Sequence, residues 1–137
     1  DNFAAVLSAK GEELARLDYA PGETPADVSV CGRTTALLLS EGTVDDSHRL
    51  MILNDSLTAL ADFTLYEAQQ VVCGRTAAYC MDSGSVYSYN FSGDLNWEYT
   101  ASTAPQALLV RGGKVLLLTA ETAELLSEGN ETDIETA

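Results

Sequence analysis

Short runs of apolar residues alternate along the whole chain with polar breaks that contain glycine. The pattern is clearest in four consecutive runs of the middle third, "QQVVCGR", "TAAYCMD", "SVYSYNF" and "LNWEYT". The runs are rich in Val, Tyr, Leu and Thr, and the breaks between them are Gly-Arg, Ser-Gly and Ser-Gly-Asp. Such breaks are typical of tight hairpins, because glycine adopts the positive φ that these turns require. The pattern therefore predicts an antiparallel meander of short strands.

The same meander is repeated along the chain. "CGRT" at 31–34 returns as "CGRT" at 73–76, an offset of 42 residues. Beyond Gly42 the offset falls to 36, because the first copy carries a six-residue insertion around Thr43–His48. A third copy follows at an offset of 37, and half a copy precedes the first. A spacing that recurs in this way is typical of a repeat architecture.

Four antiparallel strands in about 40 residues, repeated, are typical of the blades of a β-propeller. We therefore predict an all-β, β-propeller-like array of about fourteen strands in one repeat domain, with four-stranded antiparallel blades. The expected units are a half blade over 1–20 and full blades over 26–66, 68–101 and 105–137. The segment "KVLLLTAETAELL" has a composition that also suits a helix, but its place in the repeat favours two strands.

Three and a half blades cannot close a ring, since propellers close with roughly four to eight. An open arc exposes an apolar blade face and unpaired strand edges, which folded proteins avoid. We therefore expect this chain to be part of a longer, partial propeller, or to associate through its terminal blades with a protein partner or with another copy of itself.

The charge of the chain narrows the range of partners. Seven Lys and Arg residues against 21 Asp and Glu residues give a formal net charge of −14. Nucleic acid and anionic membrane surfaces both require clustered positive charge, so neither is expected. No run approaches the roughly 20 apolar residues that span a bilayer, and no signal segment opens the chain, so a leader or anchor would lie upstream.

The cysteines and the lone histidine give no metal pattern. The chain has three cysteines, so at least one is unpaired, and none shows C-x-x-C spacing: Cys31, Cys73 and Cys80. His48 is the only histidine. A zinc site needs about four such ligands close together, so no metal or cofactor is expected. The cysteines are interpreted as small buried hydrophobic residues. A redox-sensing thiol at Cys31 or Cys73 is an alternative.

One unit resembles a known repeat. "VYSYNFSGDLNWEY" at 86–99 is similar to the repeat of quinoprotein-type, PQQ-like β-propellers, with Gly93 and Trp97 at that family's Gly and Trp positions. The resemblance implies that Trp97 docks on the neighbouring blade. Catalytic members hold a quinone and a calcium ion over the central channel, but none of their site residues can be placed on this sequence. The absence of these site residues therefore favours the non-catalytic branch.

The candidate site residues fall into two groups. Glu41, Asp45, Asp46 and His48 belong to the insertion, which is either a solvated loop or a contact for a partner or a divalent ion. Ser47 adjoins His48, but a hydrolase would need a third group that the sequence does not show. Gly93, Trp97, Arg33 and Arg75 are predicted to be structural, the arginines capping turns or pairing between blades. The sequons at Asn54, Asn90 and Asn130 indicate exposed turns.

The functional hypothesis is a non-enzymatic binding or scaffold module. The alternative is a fragment of a PQQ-dependent, dehydrogenase-like propeller enzyme. Acidity and repeat type favour an extracytoplasmic or cell-surface location, whereas the unpaired cysteines favour a reducing compartment.

Overall fold

The prediction of an all-β chain is confirmed. A computed structural model describes residues 2–111, 113–127 and 130–136, and these residues form fourteen strands and no helix. No described helix is therefore available that could cross a membrane. The strands, in chain order, are β1 (Phe3–Leu7), β2 (Glu13–Asp18), β3 (Thr24–Cys31), β4 (Thr34–Ser40), β5 (Ser47–Leu53), β6 (Ala59–Tyr66), β7 (Gln70–Cys73), β8 (Ala77–Met81), β9 (Ser85–Asn90), β10 (Leu95–Thr100), β11 (Pro105–Arg111), β12 (Lys114–Thr119), β13 (Ala123–Ser127) and β14 (Asn130–Thr136).

The strands form four separate antiparallel sheets, each a simple meander. β1 and β2 form a two-stranded sheet, which we call the half blade. The first blade contains β3 to β6, the second β7 to β10 and the third β11 to β14, each in chain order. "KVLLLTAETAELL" forms β12 and β13, which pair in register from Lys114 opposite Ser127 to Leu118 opposite Ala123. The helical alternative for this segment was wrong because its apolar residues pair across a hairpin.

The first strand of each full blade lies on the inside of the arc. Side chains of β3 bind the backbone of β7: Asp27 accepts from the Val71 N–H at 2.9 Å, and Ser29 accepts from the Cys73 N–H at 2.8 Å. The Gln70 amide oxygen of β7 accepts from the Leu108 N–H of β11 at 3.0 Å. These bonds join neighbouring blades at their inner strands, so the blades radiate outwards from them.

Apolar side chains fill the three spaces between neighbouring sheets. Leu37, Leu39 and Met51 pack with the half blade, and a second cluster joins the first blade to the second. The third cluster packs Tyr79 and Trp97 of the second blade against residues of the third. The strands at these interfaces are apolar on both faces, as expected for a sheet that is covered on both sides.

The turns divide between two ends of the arc, because alternate turns of a meander point in opposite directions. At one end lie the loops 19–23, 41–46, 67–69, 82–84, 101–104 and 120–122. They carry seven carboxylates and no Lys or Arg, and we call this the acidic end. At the opposite, basic end, five of the chain's seven Lys and Arg residues lie in or beside the turns: Lys10, Arg33, Arg75, Arg111 and Lys114.

Candidate interaction surfaces

The predicted contact loop lies at the acidic end and is held by its own hydrogen bonds. Residues 41–46 join β4 to β5, with Val44 fully exposed at the tip. The Thr43 hydroxyl hydrogen-bonds Asp45 and lies 2.7 Å from the Ser47 hydroxyl, which donates to Glu41 at 3.2 Å. The bond from Thr43 lowers the pKa of the Asp45 carboxyl. The loop is therefore an acidic projection whose conformation is held by hydrogen bonds to its own carboxylates.

The placement of His48 in this loop was wrong. His48 lies in β5, opposite Ser40 of β4 and Leu65 of β6, and only 6% of it is exposed. Its Nδ1 lies 2.9 Å from the Asp46 carbonyl oxygen, which can only accept, so Nδ1 carries the hydrogen. Part of the insertion thus lengthens the hairpin: β4 and β5 have seven residues each, whereas β8 and β9 have five and six. A buried strand residue cannot contact a partner.

Sequence reasoning missed an ionic cluster next to this loop. The Arg49 guanidinium binds Asp62 through two bonds of 2.8 and 2.7 Å, and it lies 3.3 Å from Glu23. Glu23 is buried and also accepts from the Ala20 N–H at 2.8 Å. The guanidinium lowers the pKa of the Asp62 carboxyl by hydrogen bonding. The cluster fixes the crossing from the half blade to the first blade, a contact that the spacing of these residues does not reveal.

The four residues with predicted structural roles lie in two settings. Trp97 is buried in the cluster between the second and third blades, with its ring centroid 6.0 Å from that of Tyr79. Gly93 has φ +91°, and a Cβ there would lie 3.2 Å from the Ala61 Cβ of the first blade. Arg33 and Arg75 are exposed at the basic end. Neither arginine forms an ion pair with a carboxylate in the described part of the chain.

The cysteines are unpaired and mostly buried. Cys73 and Cys80 are buried, and Cys31 is partly exposed. Burial raises the pKa of the Cys73 thiol to about 11 and that of the Cys80 thiol to about 12. Both are therefore protonated near neutral pH, where a thiol reacts poorly, so the redox alternative has little support at Cys73.

An open groove lies beside the half blade. It has a volume of about 390 Å³ and lies between β1 and the inner strand β3 of the first blade. Val28 and Val30 of β3 are 56% and 63% exposed there. On the other side of β1 is β2, and no other described strand pairs with β1. By the phase of the repeat, β1 and β2 correspond to strands three and four of a blade, so the groove marks the place of strands one and two.

The two end faces of the arc are also uncovered. The half blade exposes Phe3, Leu7 and Leu14, with the Arg16 guanidinium 3.7 Å from the Phe3 ring. At the other end, Leu109 of the third blade is 56% exposed and lines a depression with Leu116, Leu125, Arg111 and Lys114. These faces are what adjoining blades would cover.

Comparison with known proteins supports the fold and not a family. No family model and no curated protein matches the chain. Among solved structures, the computationally designed Ika4 protein has a TM-score of 0.69 at 13% identity, covering 93% of this chain and 78% of that one. BamB from Moraxella catarrhalis has a TM-score of 0.61 at 15% identity over 84% of this chain, and Kluyveromyces lactis Hsv2 has 0.60 at 10% over 84%.

The natural neighbours are longer, since this chain spans 36% of BamB and 37% of Hsv2. At these identities the likeness shows the architecture alone, and BamB and Hsv2 are β-propellers. The chain is therefore a partial β-propeller that contains a half blade and three full blades.

Proposed function

We propose that this chain is a non-enzymatic interaction module, in which the half blade is completed by a β-hairpin from a polypeptide segment outside these residues. The single observation that carries the proposal is the groove beside β1. It combines a free strand edge with two exposed valines on the neighbouring inner strand. Strand addition supplies main-chain hydrogen bonds, and alternate apolar side chains fill the space between sheets.

The size and position of the groove specify the hairpin. The second strand of the added hairpin would pair with β1. The apolar side chains of the hairpin would cover Val28 and Val30. The added hairpin therefore needs the apolar pattern of β7 and β8, whose residues face neighbouring blades on both sides. The turn between them, Gly74–Thr76, shows the length that the connection needs.

A fusion tests this proposal. Residues 68–84, which carry β7 and β8, are placed a second time in front of residue 2. We expect the fused hairpin to raise the midpoint of urea unfolding and to protect the β1 amides from hydrogen exchange. The matched control carries the same hairpin with Tyr79→Pro in the added copy only, which removes a ladder bond from the strand next to β1. Equal midpoints and equal β1 exchange in the two fusions would contradict the proposal.

A second pair of variants tests the groove without a fusion. Val28→Lys together with Val30→Lys removes apolar contact area where these side chains are already exposed, so the unfused chain keeps its stability. In the fused protein the same pair abolishes the gain from the hairpin. The control is Val44→Lys, which adds a positive charge at the fully exposed loop tip. It should leave the stability gain from the fused hairpin unchanged.

We also propose that the chain belongs to the non-catalytic branch of the PQQ-like repeats and works outside the cytoplasm. The unit around Gly93 and Trp97 supports the first point, and burial of two unpaired thiols, which protects them from oxidation, is compatible with the second. Titration with pyrroloquinoline quinone and calcium tests the dehydrogenase alternative. A tight complex with a shifted quinone spectrum would favour that alternative over this proposal. Fractionation of the source cells tests the location.

A further inference from the structure

A second surface, separate from the groove, lies at the acidic end between the first and second blades. It is a pocket of about 320 Å³ whose walls come from the end of β6 and the loop after it, and from β8 and β9. Tyr66 and Glu67 line one wall, and Asp82, Tyr87 and Tyr89 line the other. The pocket opens beside the acidic loop, since the Glu67 N–H donates to the Asp46 carbonyl oxygen at 3.0 Å.

The aromatic rings of the pocket are held in place. Tyr87 and Tyr89 point to the same side of β9, with ring centroids 6.4 Å apart and planes inclined by 25°. Tyr89 packs on Phe63 of the first blade at 4.8 Å, and its burial raises its pKa to about 12. Tyr66 stands at the mouth, 60% exposed. The face of a tyrosine ring attracts a cation through its quadrupole, so these rings favour a positively charged guest.

The carboxylates around the rings have the matching charge. Asp82 is fixed by the Gly84 and Ser85 N–H groups, both at 2.8 Å, and accepts from the Tyr87 hydroxyl at 3.0 Å. Glu67 is exposed, and its carboxylate has no hydrogen bond or ion pair within the described residues. No Lys or Arg lines the pocket. The site therefore presents negative charge that nothing in the described chain neutralises.

We propose that this pocket binds an arginine side chain from a protein partner. A guanidinium is planar, so it can stack on a tyrosine ring while its N–H groups meet a carboxylate, and it is less strongly hydrated than the ammonium of lysine. An anionic guest would face Asp82 and Glu67 without a compensating cation. The net charge of −14 and the acidic end would also steer a basic partner towards this end of the arc.

The test is an NMR titration of the full chain with acetyl-Gly-Arg-Gly-amide at low ionic strength. Peptides with Lys or Gln in place of Arg are titrated in parallel. We expect shifts centred on residues 66–67, 82 and 87–89, with affinity falling in the order Arg, Lys, Gln. Equal responses to the Arg and Gln peptides, or shifts spread over both ends of the arc, would overturn the proposal.

Three single variants distinguish binding in the pocket from attraction by the overall negative charge of the chain. Tyr66→Leu leaves the charge unchanged and should weaken binding of the Arg peptide by about two- to five-fold, the range of an exposed cation–π contact. Glu67→Gln should weaken it by a similar factor. Asp55→Asn removes the same charge at the opposite end and should leave affinity unchanged. An unaffected Tyr66→Leu variant, or an Asp55→Asn variant as weak as Glu67→Gln, would contradict the proposal. Neither result depends on the fused hairpin, so this inference and the proposed function fail independently.

Discussion

Gly93 shows how one residue connects a turn to the packing of two blades. Its φ of +91° lies in the left-handed region, where a side chain is strained, and a Cβ would approach Ala61 of the first blade. Of two equivalent turns, one also has glycine at this position and the other does not. Gly11 has φ +84°, whereas Leu57 adopts φ +59° and places its side chain in the core beside the half blade. The burial of Leu57 offsets the strain of its backbone.

Gly93→Ala should therefore destabilise the fold by about 1–3 kcal/mol, from backbone strain and the close contact with Ala61. Gly84→Ala is the matched control, because its φ is not in the left-handed region and its Cβ would meet nothing within 4 Å. Urea unfolding of the two variants measures the difference. Equal losses in both variants would show that Gly93 has no special role between the blades.

The buried thiols predict how stability depends on pH. The folded pKa values of about 11 for Cys73 and about 12 for Cys80 are raised above the ordinary value of 9.0. A raised folded pKa means that the stabilisation is complete below pH 9 and is lost as pH rises through 9 towards the folded values, because the unfolded chain ionises first. Each thiol contributes a slope of up to about 1.4 kcal/mol per pH unit in that window.

We expect the free energy of unfolding to fall between pH 9 and 11, measured with urea under reducing conditions. Cys80→Ala should flatten this slope, even though the small cavity also lowers stability at neutral pH. The comparison is therefore between slopes and not between absolute values. If the slope of Cys80→Ala equals that of the parent chain, the thiol is not responsible for the alkaline loss.

At the scale of the elements, strands and hairpins were predictable because their signals are local. Alternating runs and glycine turns indicated the meander, and the repeat resolved the ambiguous segment that forms β12 and β13. The Asn54 and Asn90 sequons have a local role that the sequence analysis missed. Each side-chain oxygen accepts two backbone N–H groups of its own turn, at 2.9 and 3.0 Å. Asn130 lies where side chains are outside the described part of the chain.

Contacts between elements were not predictable in the same way. In the Glu23–Arg49–Asp62 cluster, Arg49 and Asp62 lie on the paired strands β5 and β6 of one blade, whereas Glu23 is contributed by the crossing from the half blade. The burial of His48 depended on how the insertion was shared between loop and strands. The tyrosine pocket required the outer strand of one blade to meet the third strand of the next. For the contact of Glu23 and for the tyrosine pocket, the missing information was how neighbouring sheets lie relative to each other. For His48 it was where the insertion changes from loop to strand, and a periodic pattern contains neither.

Substitutions of Trp97 test how the second blade docks on the third. Trp97→Ala should cost about 3–5 kcal/mol, because it empties a large volume between the second and third blades. Trp97→Phe should cost less, since the indole N–H has no hydrogen-bond partner among the described atoms. Leu95→Ala, in the same strand but 53% exposed, is the control. Faster hydrogen exchange in β11 and β12 of Trp97→Ala would indicate lost docking. Exchange that rises only within the second blade would contradict the predicted role.

At the scale of the whole molecule, the arc has two uncovered ends of complementary character. The half blade exposes Phe3, Leu7 and Leu14 near Glu13 and Asp18, which both pair with Arg16, whereas the third blade exposes Leu109 beside Arg111 and Lys114. If the third blade of one copy packs on the half blade of another, apolar areas meet, and Arg111 and Lys114 face two carboxylates that share the single cation of Arg16. Such a head-to-tail contact joins different surfaces, so it extends until a ring closes or the ends are blocked.

We therefore expect the isolated chain to associate, with a light-scattering mass above 14.6 kDa that rises with concentration. Leu109→Asp should shift the mass towards the monomer, because it places a charge in the apolar contact and next to the acidic half blade. Val44→Asp adds the same charge at the exposed loop tip and should leave the mass unchanged. The hairpin fusion lengthens the half blade without covering its outer face, so it should not abolish association. A concentration-independent monomer of the parent chain would show that the end faces are stable in water and would contradict this prediction.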